Sequence, residues 1–428
     1  MLIQNVYVLS NATHLKQLKN ISISETGQIT FLDAPHQGLK PDFIFMPGLL
    51  DAHVHGFGGA DFSDAGHNPT VLHSITQSLG ETGLSYAMAT LMSLPLPILL
   101  NCLHAIDDYV QLQTVSPQKG HTKIVGIHLE GPFIAKNCKG SHDESALLSE
   151  INLPLFKKII DHAPHITQWK ITLAPDLPGA KQFIKEVKML EKEGIFVKVF
   201  LGHTNADKQD ISDAVSAGAI GFTHLGNACM ETCCRLMHQL TKQDAKSNLV
   251  QWVLENKEQC PSGVELIVDG VHLSKSFVRL VKETIGNKIM LVSDALGPSG
   301  LSDGIYRFAS QYIRKEDRHF YLANQNGDYI LKENKKILAG SGASLPFCLA
   351  QFSDWIKKES ECDEHYSSIY SAMVANPRIN SLSQETIAAL PDEDNWVIVD
   401  KSGRLNTSCV AGRIVSLFRN EQQPIVIS

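Results

Sequence analysis

The sequence predicts an α/β protein: a (β/α)8 barrel of the TIM type, with a small β-sandwich domain formed by the N- and C-terminal segments. Three observations favour this fold. Eight short apolar runs in the middle of the chain alternate with helix-like stretches, as parallel βαβ units require. Both chain ends are rich in strand-forming segments. Polar residues follow most of the apolar runs, at the strand ends where barrel enzymes carry their active sites.

The eight apolar runs have the length and composition of buried strands. They are Pro47–Val54, Leu84–Leu91, Ile124–Leu129, Gln168–Leu173, Phe196–Leu201, Ile220–Thr223, Val264–Val268 and Lys288–Val292. Helices are predicted at Pro69–Glu81, Leu96–Tyr109, Leu147–Asp161, Ala180–Glu193, Ala206–Ala217, Gln243–Glu258 and Ser274–Ile285. An open doubly wound sheet is the alternative, but no strand is followed by the GxGxxG phosphate loop typical of that fold.

The two ends of the chain resemble each other in composition. Near the N-terminus, strands are predicted at the segments NVYVLS, NISISETGQITFL and FIFM. Near the C-terminus, strands are predicted at NWVIVD and SCVAGRIVSLF. We therefore expect residues 1–47 and 385–428 to pair into one small β domain, and residues 48–384 to form the barrel.

Composition excludes several functional classes. The chain has 428 residues and a net charge of −7, without a block rich in lysine and arginine, so nucleic acid is not expected as a partner. No apolar run reaches the ~18 residues of a membrane span, and the N-terminus lacks a signal-peptide pattern. These features predict a cytoplasmic protein with no membrane partner. Nine scattered cysteines fit reduced thiols.

One group of cysteines is closely spaced. Cys229, Cys233 and Cys234 could form a structural zinc site with His238, although their spacing matches no standard zinc module. The alternative is that they are small apolar residues near a loop.

The polar residues at the strand ends are of the types that bind metal ions. His53 and His55 alternate on the first strand, so both side chains should point to the same face. The other strand ends carry His128 and Glu130, His203, His224, Asp269 with His272, and Asp294.

One carboxylate and two imidazoles, from Glu130, His203 and His224, form the ligand set of a catalytic zinc ion that keeps a position open for water. His53 and His55 could join that ion or hold a second one. A divalent metal makes hydroxide available near neutral pH, and Asp294 is placed to move the proton. Each side chain also has a structural alternative, such as capping a turn or packing in the core. We expect a structural or supporting role for His128.

These motifs resemble the amidohydrolase superfamily and, within it, the N-acetylglucosamine-6-phosphate deacetylases. The resemblance runs through nearly the whole chain and rests on the segments PGLLDAHVHGFGGADFSDA, HLEGPFIAKNCKGSH, TLAPD, GHTNA, THLGNA, VDGVHLS, SDALGPSGLSDG and LAGSGASL, in that order. It implies a barrel with a β-sandwich and a metal-dependent removal of acetate from the 2-amino group of a sugar phosphate. Zinc is the expected metal.

The resemblance also implies roles for individual residues. Glu130, His203 and His224 match the principal metal ligands, and Asp294 matches the catalytic acid/base. Family members are usually homodimers in which an arginine reaches the neighbouring subunit's phosphate site, and Arg235 occupies that position. The residues that fall on sugar-contacting positions are Ser141, His142, Asn227, Ala228, His272, Leu338, Ala339 and Gly340.

The chain departs from the family pattern in three places. It keeps His53 and His55, which some members have lost, so a second ion is possible. The stretch CMETCCRLMHQL differs from the usual sequence around the phosphate-binding arginine. The polar segment Gln311–Lys336 is long enough to cross over the barrel as a hairpin.

Three other functions stay open at this point. The enzyme could act on another N-acyl amino sugar. It could be a cyclic-amide hydrolase, although members of that class often bridge two metals through a modified lysine at the end of the fourth strand, and no lysine follows Thr172 there. It could also be a non-catalytic sugar-binding protein, which would be expected to lack a ligand or Asp294.

Overall fold

Eight parallel strands form the barrel predicted from the apolar runs. The computed structural model describes residues 1–9, 17–24, 27–33, 42–229, 248–309, 311–332, 334–357, 362–400 and 402–416. The strands pair in chain order, each with the next. Their bounds are Leu50–Val54, Tyr86–Leu91, Lys123–Glu130, Gln168–Leu173, Phe196–Leu201, Gly221–Phe222, Gly263–Ile267 and Ile289–Val292. The predicted fold class is confirmed, and each strand lies within two or three residues of its expected position.

The barrel is closed by polar contacts between its first and last strands. The backbone N–H of Asp294 donates to the carbonyl of His53 over 2.9 Å. The N–H of Ser293 donates to the buried carboxylate of Asp51 over 3.3 Å, and the N–H of His53 donates to the same oxygen over 3.2 Å. These contacts bring the first and eighth strand ends together, so that His53 and Asp294 become neighbours.

Helices cover the outside of the barrel. Those between the strands are Val71–Glu81, Leu96–Val115, Leu153–Ile160, Ala180–Glu186, Lys208–Ala217, Asn248–Glu255 and Lys275–Ile285. After the eighth strand follow Leu345–Ile356, Cys362–Tyr370, Asn376–Ser381 and Gln384–Ala388. Within the described ranges, none of these helices combines the length and the apolar composition needed to cross a bilayer.

Three helix predictions need correction. The second helix continues past Tyr109 and ends at Val115. The third helix begins at Leu153, not at Leu147, because Asn152 caps it by accepting the N–H of Leu155 over 2.9 Å, with Pro154 in the first turn. The fourth stays α-helical only to Glu186 and continues as a 3₁₀ helix to Glu193.

The chain ends form a single seven-stranded sheet. Its strands, in spatial order, are Arg413–Ser416, Leu405–Val410, Trp396–Asp400, Phe43–Pro47, Leu2–Val8, Gln17–Ile23 and Ile29–Asp33. The sheet curves so that its two edges approach each other: a Cβ on Gly27, just before the strand Ile29–Asp33, would lie 3.0 Å from Cys409 Sγ and 3.6 Å from Ile414 in the opposite edge strand. Residues from both ends, including Ile21 and Trp396, share one core. We propose the boundaries at 47 and 385 as the domain division.

A buried arginine joins the bottom of the barrel to the C-terminal segment. Arg378 donates to both carboxylate oxygens of Asp392, over 2.7 and 2.8 Å, and to the carbonyl of Gly48 over 2.8 Å. Gly48 lies just before the first barrel strand, at the end away from His53. The fork geometry of the guanidinium satisfies three acceptors at once.

We expect Arg378→Met to lower the free energy of unfolding by about 2–4 kcal/mol, because it leaves a buried carbonyl unpaired and removes the charged partner of the partly buried Asp392 carboxylate. Urea denaturation followed by circular dichroism measures the change. Lys119→Met, at an exposed surface position, is the control and should stay within about 0.5 kcal/mol. A similar small effect for Arg378→Met would contradict the assigned role.

Candidate active site

The carboxylate of Glu130 lies at the centre of a group of histidines. Glu130 is the last residue of the third strand, and its Oε1 lies 3.0 Å from His203 Nε2 and 2.8 Å from His224 Nε2. The two imidazole nitrogens are 3.1 Å apart. All three side chains are buried. The structure therefore brings together the carboxylate and two imidazoles that the sequence singled out.

These atoms are arranged as ligands rather than as ordinary hydrogen-bond partners. His203 Nδ1 lies 2.9 Å from the carbonyl of Cys138, which can only accept, so the proton of a neutral His203 is on Nδ1. Its Nε2 then turns a lone pair toward His224 Nε2. Burial lowers the pKa of His224, which favours a neutral ring. Tetrahedral ligands with bonds of ~2.0–2.1 Å to zinc are about 3.3 Å apart. The residues present thus fit a divalent metal.

A second set of ligands faces the other side of Glu130. His53 Nε2 and His55 Nε2 lie 3.4 and 3.2 Å from Asp294 Oδ1, and His55 Nε2 is 3.1 Å from Glu130 Oε2. His53 Nε2 is buried and has no hydrogen-bond partner among the described residues. An unpartnered ring nitrogen between two carboxylates fits a metal site. Glu130 therefore stands between two potential metal positions, one on each side.

His142 is placed as a hydrogen-bond donor. Its Nδ1 accepts the backbone N–H of Ser93 over 3.2 Å, so in the neutral ring the proton is on Nε2. Burial lowers the pKa of His142 to about 4, which keeps it neutral. Its Nε2 lies 3.3 Å from Glu130 Oε2 and points into the site. A neutral imidazole with a fixed N–H can stabilise developing negative charge on an oxygen.

The predicted sugar-contacting residues surround this centre. His272 donates from Nδ1 to Asp269 over 2.7 Å, which leaves Nε2 available to a ligand. Asn227 and Ala228 follow His224 directly, and Asn227 Oδ1 is buried without a partner among the described residues. Leu338, Ala339 and Gly340 lie in the strand Leu338–Ser341, and a Cβ on Gly340 would lie 2.8 Å from the carbonyl of Asp294.

The long segment after the eighth strand forms an antiparallel sheet over the barrel mouth. Its strands are Gly304–Phe308, Gln311–Glu316, His319–Ala323 and Leu338–Ser341, with a short hairpin at Leu331–Lys332 and Lys335–Lys336. The side chain of Gln311 donates to the carbonyl of Ser141. Lys332 Nζ donates to the carbonyl of Asn137 over 3.2 Å. The sheet thus braces the loop that carries Ser141 and His142.

His128 takes no part in the ligand set. Its ring nitrogens lie 3.3 Å from the hydroxyl of Thr90 and 2.8 Å from that of Thr172, and burial lowers its pKa far below the usual range. These contacts agree with the structural role expected for it.

Sequence reasoning missed a pair of charged residues inside the barrel. Lys170 and Glu265 are both buried and form an ion pair. They lie within strands, not at strand ends. The available signal was a charged residue in the middle of each of two otherwise apolar runs, QWKITL and GVELIV. Lys170 is level with His128, whereas Thr172 is level with Glu130, so Lys170 lies one layer below the ligands.

Some predicted residues lie outside the described residues: Arg235, Cys233, Cys234 and His238. Cys229 is described and its side chain is buried.

Comparison with known proteins gives consistent results at the levels of sequence and fold. No family model matches the chain. It is 29% identical over 296 residues to N-acetylglucosamine-6-phosphate deacetylase of Bacillus subtilis, covering 69% of each chain. It is 25% identical over 378 residues to the Bos taurus enzyme of the same name, covering 87% of this chain and 83% of the other. The N-acetylgalactosamine-6-phosphate deacetylase of Escherichia coli O157:H7 is 28% identical over 271 residues, covering 63% of this chain and 65% of that enzyme.

Solved structures support the same fold. The N-acetyl-D-glucosamine-6-phosphate deacetylase of Mycobacterium smegmatis superposes with a TM-score of 0.73 at 22% identity, covering 97% of this chain and all of the other. In its strand-end motifs and over most of its length the chain is thus similar to N-acetylglucosamine-6-phosphate deacetylases, and it shares their fold.

Proposed function

We propose that this protein hydrolyses the acetamide of N-acetylglucosamine-6-phosphate to glucosamine-6-phosphate and acetate. The observation that carries the proposal is the arrangement around Glu130, where two imidazole Nε2 atoms converge on one carboxylate oxygen and Asp294 lies across the site. This is the ligand set and the proton acceptor that metal-dependent amide hydrolysis requires.

Zinc is the metal proposed. Glu130, His203 and His224 would hold one ion. His53 and His55, which lie close to Asp294 and Glu130, would hold a second. A bound divalent ion supplies a hydroxide at neutral pH and polarises the acetyl carbonyl.

The side chains of this chain supply proton transfer and charge stabilisation. The neighbouring imidazoles outweigh the effect of burial and hold the pKa of Asp294 below its usual value, so the group is a carboxylate that can accept a proton. Asp294 takes the proton of the attacking water and returns it to the amine nitrogen as the C–N bond breaks. His142, which carries its proton on Nε2, donates to the carbonyl oxygen while negative charge develops there.

The phosphate end of the substrate is assigned to residues away from the scissile bond. Arg235 would reach the phosphate from the neighbouring subunit of a cytoplasmic homodimer. His272, Asn227 and Ala228 would contact the sugar from within the subunit. The support for this assignment is the family motif and the contact of His272 Nδ1 with Asp269, which leaves Nε2 available to a ligand.

A deacetylase of N-acetylgalactosamine-6-phosphate is a second candidate. One relative with that name is nearly as similar to the chain as the glucosamine enzymes are. The two sugars differ only at C4, so the contacts around one hydroxyl decide between them.

Acetate release is expected to be fastest from N-acetylglucosamine-6-phosphate. The panel is that substrate, its galactosamine epimer and unphosphorylated N-acetylglucosamine, each with metal-quantified protein. Loss of the phosphate should lower kcat/KM by at least ~10², the worth of a charged contact left unpaired. Arg235→Ala should remove most of this preference. Equal rates on all three sugars would refute the proposed substrate.

Asp294→Asn should lower kcat by ~10²–10⁴, because the amide cannot accept the water's proton. The amide keeps an oxygen in the same place, so the metal content should stay largely intact. Acetate release and metal analysis of the same preparation measure both quantities. Near-normal turnover in the metal-loaded variant would exclude a role for Asp294 as the acid/base.

Metal binding should release protons. Burial lowers the pKa of His53 and His55, but Glu130 and Asp294 outweigh it and raise them to about 9 and about 10. Both rings are therefore protonated at neutral pH in the metal-free protein and must lose a proton to bind an ion. The affinity for zinc should rise by about tenfold per pH unit for each proton displaced, from pH 6 to 8.

Calorimetry in two buffers with different ionisation enthalpies measures the protons released. His53→Asn/His55→Asn is the matched control and should remove this part of the pH dependence. Equal zinc affinities at pH 6 and pH 8 in the unmodified protein would show that the two rings are not ligands.

A further inference from the structure

A buried ion pair lies directly beneath the proposed metal ligands. Lys170 extends from the fourth barrel strand and Glu265 from the seventh, and neither side chain is exposed to solvent. Lys170 Nζ also donates to the carbonyl of Ala52 over 3.1 Å and lies 4.5 Å from the ring centre of Phe200. The pair therefore spans the inside of the barrel one layer below Glu130.

One oxygen of Glu265 touches both halves of the site. Its Oε2 lies 3.2 Å from His53 Nδ1 and 3.2 Å from the backbone N–H of His224. An ionised carboxylate can only accept hydrogen bonds, so the contact places a proton on His53 Nδ1. In the neutral ring, the lone pair is then on Nε2, which lies 3.5 Å from Glu130 Oε1. Glu265 thereby selects the tautomer that can bind a metal.

Stability alone is a poor reason for this pair. Bringing two charges into a barrel core costs several kcal/mol per ion, and apolar side chains of similar volume are often at least as stable. Apolar side chains, among them Met88, Ile267 and Met290, pack together in the same part of the barrel interior. Stability therefore does not explain the charged pair, whereas the contact of Glu265 with His53 suggests a function for it.

We propose that the Lys170–Glu265 pair is a positioning device that orients His53 toward the metal centre. Glu265 holds the ring and its Nδ1 proton, and Lys170 supplies the positive charge that keeps Glu265 an acceptor inside the barrel. This inference rests on the proposed metal-dependent function. Neither residue is expected to touch the metal or the substrate.

The test measures zinc affinity by competition with a chelator, and zinc stoichiometry by elemental analysis. The variants are Glu265→Leu and Lys170→Met/Glu265→Leu; the second leaves no unpaired charge in the core and serves if the single variant does not fold. Each is made both in the unmodified protein and in His53→Asn. Replacing a residue that supports a metal-binding histidine typically costs 10–100-fold in affinity.

If the pair acts through His53, the Glu265 substitutions should lower the affinity for one zinc ion by at least ~10-fold when His53 is present. The same changes should cost less than about threefold in His53→Asn, because the ring on which the pair acts is already gone. A general structural role would produce equal losses in both backgrounds. Arg378→Met, which breaks a buried ion pair at the other end of the barrel, should lower stability without changing zinc affinity.

Two results would overturn the inference: unchanged zinc affinity in folded Glu265 variants, or equal losses with and without His53. Failure of the proposed function is distinguishable, since the unmodified protein would then bind no zinc or release no acetate.

Discussion

The site depends on a single buried carboxylate. Glu130 has five imidazole rings within 3.5 Å of its oxygens: those of His53, His55, His142, His203 and His224. An isolated carboxylate could not remain ionised at that depth. The imidazoles outweigh the effect of burial and hold its pKa well below the usual range. Moving any one ring would therefore change the charge balance for all the others.

The backbone around this carboxylate is strained at three positions of the candidate site. His203, His224 and Asp294 have φ values of 48°, 27° and 51°, a region that non-glycine residues rarely adopt. Each such residue costs about 1–3 kcal/mol and persists only where the surrounding structure enforces it. All three lie two residues beyond the end of a barrel strand, and the pairing of the strands supplies that support. The left-handed backbone conformation directs the side chain of each of these three residues toward the barrel mouth.

Much of this arrangement could be predicted from the sequence, because strand periodicity and strand-end motifs are local signals. The eight runs located the strands, and the order of the motifs located Glu130, the histidines and Asp294. What could not be predicted depends on contacts between distant residues. The proton position on His142 is set by the backbone of Ser93, 49 residues away. The pairing of Lys170 with Glu265 spans 95 residues, and nothing local links them.

The antiparallel sheet over the barrel mouth contacts the loop of residues 136–142 through hydrogen bonds to main-chain oxygens. Gln311 and Lys332 hold the carbonyls of Ser141 and Asn137, not their side chains. Carbonyl acceptors are the same whatever residue occupies the position. The side chains at positions 137 and 141 can therefore be substituted without loss of these two hydrogen bonds. This part of the mouth can adapt to different acyl groups or sugars in evolution, or in a laboratory library, while His142 stays in place.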